Sequence, residues 1–387
     1  MNTLAFINWD FQPEIISSPI KIVYYGLCWA LAFLIGNYLM GKIMKNDNAP
    51  DEYSEKILIY ALLGGVIGAR MGHILFYHLD YYLANPLDII KIWEGGLASH
   101  GGVLGLLIAN YIYSKRVSKR SFTWSADKIV VVAGIGAALI RFGNLTNSEI
   151  LGVKSESETA FFFEQDAKRK SASYFKSMEN ENMTFGIQLV GSEIEPNGNT
   201  SQIDDFNYPQ GDFIAEYQIP NGVSKEQVEA FSRQWHYNFS ENYFNPVEDH
   251  IMRDSTRNVK VIVSGNKAKA IMPVLMIPRI PAQLWEAIVY IFIFIFMMLA
   301  YWKWKWYLYD GLLFGTFMVL QFTSRFIIEY WKEIQADDVI NAANEGASGW
   351  INRGQQLSIP AVLIGIIFIV WAVKSGKKDT KITLENS

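Results

Sequence analysis

Ile140-Arg141-Phe142-Gly143-Asn144-Leu145-Thr146-Asn147-Ser148-Glu149 closes a run of roughly 20 mostly apolar residues with a charge and several amides. An arginine at such depth costs a few kcal/mol on insertion scales, so it persists only with a partner or a task. Arg325 and Arg70 also lie inside apolar runs. Cations within membrane segments point first to an anionic lipid.

Outward from this stretch, apolar length and flanking charge predict seven spans, at about 20–41, 57–78, 97–113, 128–147, 283–302, 311–331 and 358–374. The third is short and opens on Gly95-Gly96. Gly64-Gly65-x-x-Gly68 reads as a helix-packing surface. Orientation follows from basic residues in the short loops. Lys42, Lys45 and Lys56 follow the first span, Lys115, Arg116, Lys119 and Arg120 the third, Lys303 and Lys305 the fifth, and Lys374, Lys377 and Lys378 the seventh. These alternate loops share one side, the cytoplasm. The amino terminus is then expected outside and the carboxyl terminus inside.

The 387 residues are 50% hydrophobic, yet the mean hydropathy is only +0.10. That average hides two populations. Val153–Ala270 holds 18 acidic and 12 basic residues in a chain of net charge −4, which leaves the remainder slightly basic. The expected fold is an all-α polytopic membrane protein of seven transmembrane helices with an inserted α+β extracytoplasmic head. The divisions are 1–152 (membrane body, spans one to four), 153–270 (head) and 271–387 (spans five to seven and a cytoplasmic tail). Within the head, Met183–Glu195 and Val259–Val263 alternate like strands, and Ser224–Tyr237 has a helical period. Pro196-Asn197-Gly198-Asn199 and Pro220-Asn221-Gly222 are turn signals. A single cysteine, Cys28, excludes a disulfide framework and a cysteine-rich metal site. Met1–Pro19 lacks a basic n-region, so the first span is expected to serve as its own targeting signal.

Four clusters carry candidate chemistry. Tyr24-Tyr25-Gly26 stands at the outer start of span one, where an interfacial aromatic belt is the plainer reading. Trp93-Glu94-Gly95-Gly96-Leu97-Ala98-Ser99-His100-Gly101-Gly102 flanks a histidine with paired glycines, which permits close approach. A neutral His100 can accept a proton; a histidine bonded to a neighbouring carbonyl is the structural alternative. Arg141, Asn144 and Asn147 recur at helical spacing before Glu149. A guanidinium fork with flanking amides suits a phosphate and glycerol hydroxyls, against an arginine that merely pairs with Glu149. Gln321, Arg325 and Glu329 repeat every four residues on one stripe, where an Arg325–Glu329 ion pair is the plain alternative. No H-E-x-x-H, nucleophile elbow or P-loop occurs. No metal and no cofactor is expected.

These residues resemble those of the bacterial prolipoprotein diacylglyceryl transferases. The resemblance rests on Tyr25-Gly26, the Gly64–Arg70 segment, Glu94-Gly95-Gly96-x-x-x-His100-Gly101-Gly102 and Arg141-x-Gly143-Asn144-x-x-Asn147-x-Glu149-x-x-Gly152. It continues in Pro281-Ala282-Gln283-Leu284-Trp285-Glu286, Arg325-x-x-x-Glu329 and Gln356-Leu357-Ser358-Ile359-Pro360. It implies an integral enzyme of the bacterial inner membrane that moves the diacylglyceryl group of phosphatidylglycerol to the lipobox cysteine thiol of prolipoproteins, releasing glycerol 1-phosphate. By the resemblance, Arg141 binds phosphatidylglycerol with Asn144 and Gly152, and Tyr25, His100 and Arg325 belong to positions tied to activity. The expected catalytic residues are His100, Arg141 and Arg325. The expected lipid ligands add Tyr25, Arg70, Asn144, Asn147, Glu149, Gly152, Gln321 and Glu329. The expected partners are phosphatidylglycerol, prolipoprotein signal peptides and membrane lipids, with no nucleic acid.

The chain departs from that pattern in three places. Gln321 stands where such families carry tyrosine, Ile280-Pro281-Ala282-Gln283 replaces His-Pro-Ser-Gln, and the insert is longer than the usual head. A transporter of an anionic solute is the main rival, though no repeated half with matching broken helices is visible. A lipid-binding scaffold is the second.

Overall fold

The computed structural model describes residues 6–17, 22–92, 95–180, 184–203, 205–239, 250–332 and 353–377. Its helices are α1 (Tyr24–Asn46), α2 (Glu52–Tyr77), α3 (Leu79–Ala84), α4 (Ser99–Tyr113), α5 (Phe122–Thr146), α6 (Glu164–Asn180), α7 (Lys225–Asn238), α8 (Ala282–Trp302), α9 (Leu312–Ile328) and α10 (Arg353–Ser375). Among the described residues, six helical stretches are long and apolar enough to cross a membrane: α1, α2, α5, α8, α9 with its 3-10 extension to Trp331, and α10. Of the seven spans expected, the one at 97–113 is the exception. It forms α4, whose 15 residues reach only about 22 Å, short of a hydrocarbon core of about 30 Å. A π-helical turn, Ser114–Ser118, continues it.

The chain divides into two compact units. One comprises Leu27–Ile140, Glu286–Ile327 and Gly354–Ser387. Leu34, Ile67, Phe292 and Val373 remain exposed on its helices, as expected where lipid rather than water is the solvent. Its interior is built from Met40, Ile43, Val131, Tyr290, Met297 and Leu313. Polar latches sit among them. Asp127 accepts from the Gly311 and Phe314 amides at 2.8 Å each, capping the start of α9. Lys128 pairs with Asp47 at 2.6 Å, and Asp47 also accepts from Trp124 Nε1 and the Tyr301 hydroxyl. A buried ion pair persists where such extra bonds satisfy its remaining lone pairs.

In the same unit α2 and α4 meet along glycine. A Cβ added at Gly64 would stand 2.7 Å from Gly105 O, one at Gly68 would stand 2.7 Å from Gly105 Cα, and one at Gly72 would stand 2.7 Å from Gly101 Cα. Glycines four apart on each helix thus form two smooth faces, and the backbones touch.

The other unit comprises Met1–Gly26, Arg141–Trp285 and Ile328–Arg353. It carries β1 (Ile7–Asn8), β2 (Glu14–Ile16), β3 (Ile22–Val23), β4 (Phe161–Phe162), β5 (Gln188–Ile203), β6 (Phe206–Gln218), β7 (Ile251–Arg253), β8 (Lys260–Ser264) and β9 (Lys267–Met276). The main sheet runs β5-β6-β9-β7, with β8 also paired to β9; every pairing in it is antiparallel. The boundary expected at residue 270 falls inside β9, and β1 adds the amino-terminal segment by pairing with β4. Of the strand expected at Met183–Glu195, residues 188–195 lie in β5, residues 184–186 form a turn, and Met183 lies outside the described residues; the helix expected at Ser224–Tyr237 is α7, whose Ser224 forms a capping box with Gln227. Pro196-Asn197-Gly198-Asn199 does not end a strand. It lies within β5 as a register shift opposite β6, with Gly198 at φ +79°. Phe175, Phe213, Tyr217, Phe231 and Trp235 from α6, α7 and the sheet make the core.

One buried pair ties this head to pH. The His250 ring nitrogen Nε2 lies 2.6 Å from Asp166 Oδ2, and both side chains are almost wholly buried. Burial pushes the imidazole down to about 4, against the pull of Asp166. Burial also opposes charge on Asp166, but the hydrogen bond from His250, with Lys170 and Arg169 nearby, holds the carboxyl well below its usual range. Both folded-state values lie below the unfolded ones. The histidine's contribution is therefore intact above about pH 6.5 and is lost as pH falls toward 4, and the carboxylate's follows at lower pH. Acidifying the full-length protein from pH 7 to 4.5 is expected to weaken the head by on the order of 2 kcal/mol, read as faster amide exchange in β6 and β9. His250→Gln, a donor that does not titrate, is expected to flatten that dependence. An unchanged slope in that variant would exclude His250 as its source.

Candidate active site

The last turn of α5 turns its polar residues back on one another. Beyond Thr146 the chain reverses through left-handed Ser148 (φ 56°) and Ile150 (φ 60°), and the Glu149 amide bonds to Asn144 O at 3.0 Å. This brings the carboxylate beside the amides. Asn144 Nδ2 donates to Glu149 Oε2 and Asn147 Nδ2 to Glu149 Oε1, each at 3.2 Å. Arg141 Nη1 donates to Asn144 Oδ1 at 3.4 Å. Asn144 is thereby fixed with its oxygen toward the cation and its amide toward the anion. It is buried, Arg141 half-buried and Glu149 exposed. The Gln283 amide donates to the Glu149 carbonyl and anchors the turn from α8.

Gly152 locks the strand that leaves this turn. Its amide bonds to Ile280 O at 3.0 Å and its neighbour Val153 to Trp331 O at 3.0 Å. A Cβ here would stand 2.7 Å from Trp331 O and 2.8 Å from Ile280 Cβ. Gly152 is thus a backbone crossing. Its place in the motif follows from that crowding.

On α9, Gln321 and Arg325 stand one turn apart as expected. Gln321 Oε1 and Arg325 Nε are buried without a hydrogen-bond partner among the described residues. Such groups are rare, and each calls for a physical reason. Glu329 opens the 3-10 turn Glu329–Trp331, so the regular four-residue stripe stops at Arg325, and Glu329 pairs with Lys332 at 3.3 Å.

His100 occupies the first turn of α4. Its ring meets Phe76 at 5.1 Å and Tyr77 at 5.9 Å between centroids, an aromatic wall from the end of α2. Gly95 (φ +93°) and Gly96 (φ +74°) make the irregular approach expected before it; Trp93 and Glu94 of that motif lie outside the described residues. Tyr25 is the second residue of α1, half-buried, beside Tyr24, whose ring packs on Phe11. Arg70, expected among the lipid ligands, is buried and committed to backbone: it donates to carbonyls of Asp88, Ile89, Gly95 and Gly96.

A family model described as prolipoprotein diacylglyceryl transferase matches residues 13–371, a range that includes every candidate site residue above. The chain belongs to that family. A relative from Chloroherpeton thalassium named phosphatidylglycerol–prolipoprotein diacylglyceryl transferase is 34% identical over 380 residues, covering 98% of this chain and 99% of its own. One of the same name from Bacteroides fragilis is 29% identical, with 98% and 99% covered. One from Porphyromonas gingivalis is 47% identical over 154 residues, which is 39% of this chain and 54% of its own. Members of this transferase family therefore extend, head included, over the full length of this chain.

Two residues of the site gave little signal by themselves. Gln283 was visible only as part of a motif, since its bond to the Glu149 carbonyl joins positions 134 residues apart. Arg279, which donates to Gly152 O at 3.4 Å, lies ahead of the span expected at 283–302 and so carried no mark of depth.

Proposed function

We propose that the chain transfers the diacylglyceryl group of phosphatidylglycerol to the thiol of the lipobox cysteine in prolipoproteins, forming a thioether and releasing glycerol 1-phosphate. The observation that carries this reading is the end-to-end family match in a chain whose Arg141, Asn144, Asn147 and Glu149 gather at the turn after α5. The sulfur attacks the glycerol carbon, the carbon–oxygen bond breaks, and the electron pair leaves on the phosphate. Negative charge grows on that phosphate, so Arg141 and Arg325 would lower the barrier as clamps. Asn144, with Asn147 and Glu149 behind it, would hold Arg141 in aim, and Gly152 would fix the turn. Gln321 would accept from a glycerol hydroxyl, and Tyr25 and Glu329 would border the headgroup. The thiol must lose its proton, since thiolate is the nucleophile, and His100 is the proposed base.

The reading places the protein in a bacterial cytoplasmic membrane, with α4 and its π-helical continuation as a seventh crossing. The lysine-rich ends of the alternate loops would lie in the cytoplasm, with the amino terminus and the 153–270 head outside. The head's acidic charge suits a surface that stands off anionic lipid.

The test is direct. Membranes holding the protein, phosphatidylglycerol and a lipobox peptide are expected to give a peptide mass gain of one diacylglyceryl unit. Solute uptake with no mass gain would favour a transporter, and neither result in a stable protein a scaffold. In the same assay His100→Asn is expected to lose most of its rate, about 10²-fold or more, together with the pH dependence of kcat/KM. A variant with wild-type rate and profile would remove His100 as the base.

A further inference from the structure

Arg70 is a heavily engaged cation in the membrane unit, and its hydrogen-bond partners among the described residues are backbone carbonyls. Nε donates to Ile89 O at 2.9 Å, Nη1 to Gly95 O at 2.7 Å and to Gly96 O at 3.2 Å, and Nη2 to Asp88 O. The guanidinium also lies over the buried Tyr82 ring, 4.9 Å from its centroid. A phosphate ligand would need these same donors. Four of the fork's five N–H donors are already given to carbonyls.

Those carbonyls belong to two pieces of non-α-helical chain between α3 and α4, the 3-10 turn Pro86–Ile90 and the irregular Gly95-Gly96. Irregular backbone at membrane depth holds only where its polar groups are satisfied by protein. Two apolar side chains of this connection face away: Leu87 and Ile90 are among the most exposed apolar groups of the described residues. Asp88 adds side-chain ties within the connection, accepting from the Tyr81 hydroxyl at 2.7 Å and pairing with Lys91 at 2.6 Å. The second piece leads directly into α4. Gly96 lies against His73 and Arg70, so closely that a Cβ would stand 2.8 Å from Arg70 Nη1. The Ala98 amide then bonds to Ala69 O at 2.9 Å, and His100 follows two residues later.

We propose that Arg70 is a positioning residue for the transfer: its guanidinium gathers the Asp88, Ile89, Gly95 and Gly96 carbonyls and so fixes the start of α4, and with it His100. The inference rests on the proposed transferase reaction. Its physical content is the number and fan of donors, a property that lysine lacks although it keeps the charge. A displacement of about 1 Å at a reacting group costs about 10²-fold in rate.

The experiment compares Arg70→Lys, Gly96→Ala and wild type, reconstituted in vesicles of graded phosphatidylglycerol content with a lipobox peptide. Wild-type transfer first establishes the reaction; its absence would sink the proposed function and leave Arg70 aside. With transfer present, Arg70→Lys is expected to lose about 10²-fold in kcat with KM for phosphatidylglycerol changed less than about threefold. Gly96→Ala is expected to reproduce that pattern, because its methyl group meets His73 as well as Arg70 at a backbone of φ +74° and shifts the loop off a chemically intact Arg70. If Arg70→Lys does not accumulate in the membrane, the glycine variant decides alone. A lysine variant of nearly wild-type rate, or one that raises KM at unchanged kcat, would overturn the proposal and return Arg70 to the lipid headgroup. So would a Gly96→Ala enzyme of wild-type kcat.

Discussion

Alanine at Arg141 is expected to abolish diacylglyceryl transfer, by about 10³-fold or more in kcat/KM, the scale at which a lost guanidinium slows phosphate chemistry elsewhere. The argument is one of charge. The lipid carries its phosphate as a diester, and the leaving group gains a second ionisable oxygen as the carbon–oxygen bond breaks. A cation fixed beside that oxygen stabilises the transition state more than the bound lipid. Arg141 is fixed in this sense. Its Nη1 is tied to Asn144, which the Glu149 carboxylate holds in turn. Removing the arginine leaves the Asn144–Glu149 and Asn147–Glu149 bonds in place, so the turn and Gly152 are expected to survive and the protein to accumulate normally. Arg325→Ala is expected to have a comparable effect, since its buried Nε has no hydrogen-bond partner among the described residues. Arg141→Lys should recover part of the rate through charge alone. The measurement is the initial rate of peptide mass gain at matched amounts of folded protein. Full activity in either alanine variant would remove that arginine from the mechanism.

How far such residues could be read from sequence depended on where their partners lie. The turn after α5 was legible because Arg141, Asn144, Asn147 and Glu149 are local: helical spacing puts them together, and the intramembrane charge marks the place. The approach to His100 was legible for a similar reason, since consecutive glycines announce backbone that side chains would forbid, and Gly95 and Gly96 both adopt positive φ. Arg70 was equally visible as an intramembrane cation, but its task was not. Its acceptors are main-chain carbonyls, present at every residue, so no residue type advertises them. Asp127 escaped for the same reason: it caps α9 through two amides 184 and 187 positions away. In the head, Pro196-Asn197-Gly198-Asn199 has the local chemistry of a turn. Pairing along the whole of β6 overrides it and converts the turn into a bulge. On α9 the four-residue stripe was drawn one turn too far, because periodicity carries no signal for the tightening into a 3-10 turn at Glu329.

Gly105→Leu is expected to prevent the membrane unit from assembling, and Gly105→Ala to weaken it by about 1–3 kcal/mol, the usual cost of overpacking. A Cβ at this position would stand 2.8 Å from Gly68 Cα and closer still to Gly64 O. Both are backbone atoms of α2, so no side chain can swing aside to make room; the two helices must separate. In lipid that separation is costly, because helix association depends on close packing rather than on expulsion of water. It would also carry the start of α4 away from α2, and with it the contacts of His100 with Phe76 and Tyr77. The alanine variant is therefore expected to lose activity out of proportion to its stability. Gly36→Ala supplies the control. No atom lies within 4 Å of its added Cβ, and a glycine-to-alanine change inside a helix is favourable by roughly 1 kcal/mol on propensity alone. Thermal unfolding in detergent, followed by transfer assays at a temperature where both variants remain folded, separates the two effects. Equal stability and equal rates for the alanine variants at Gly36 and Gly105 would show that the α2–α4 contact is looser than a glycine face.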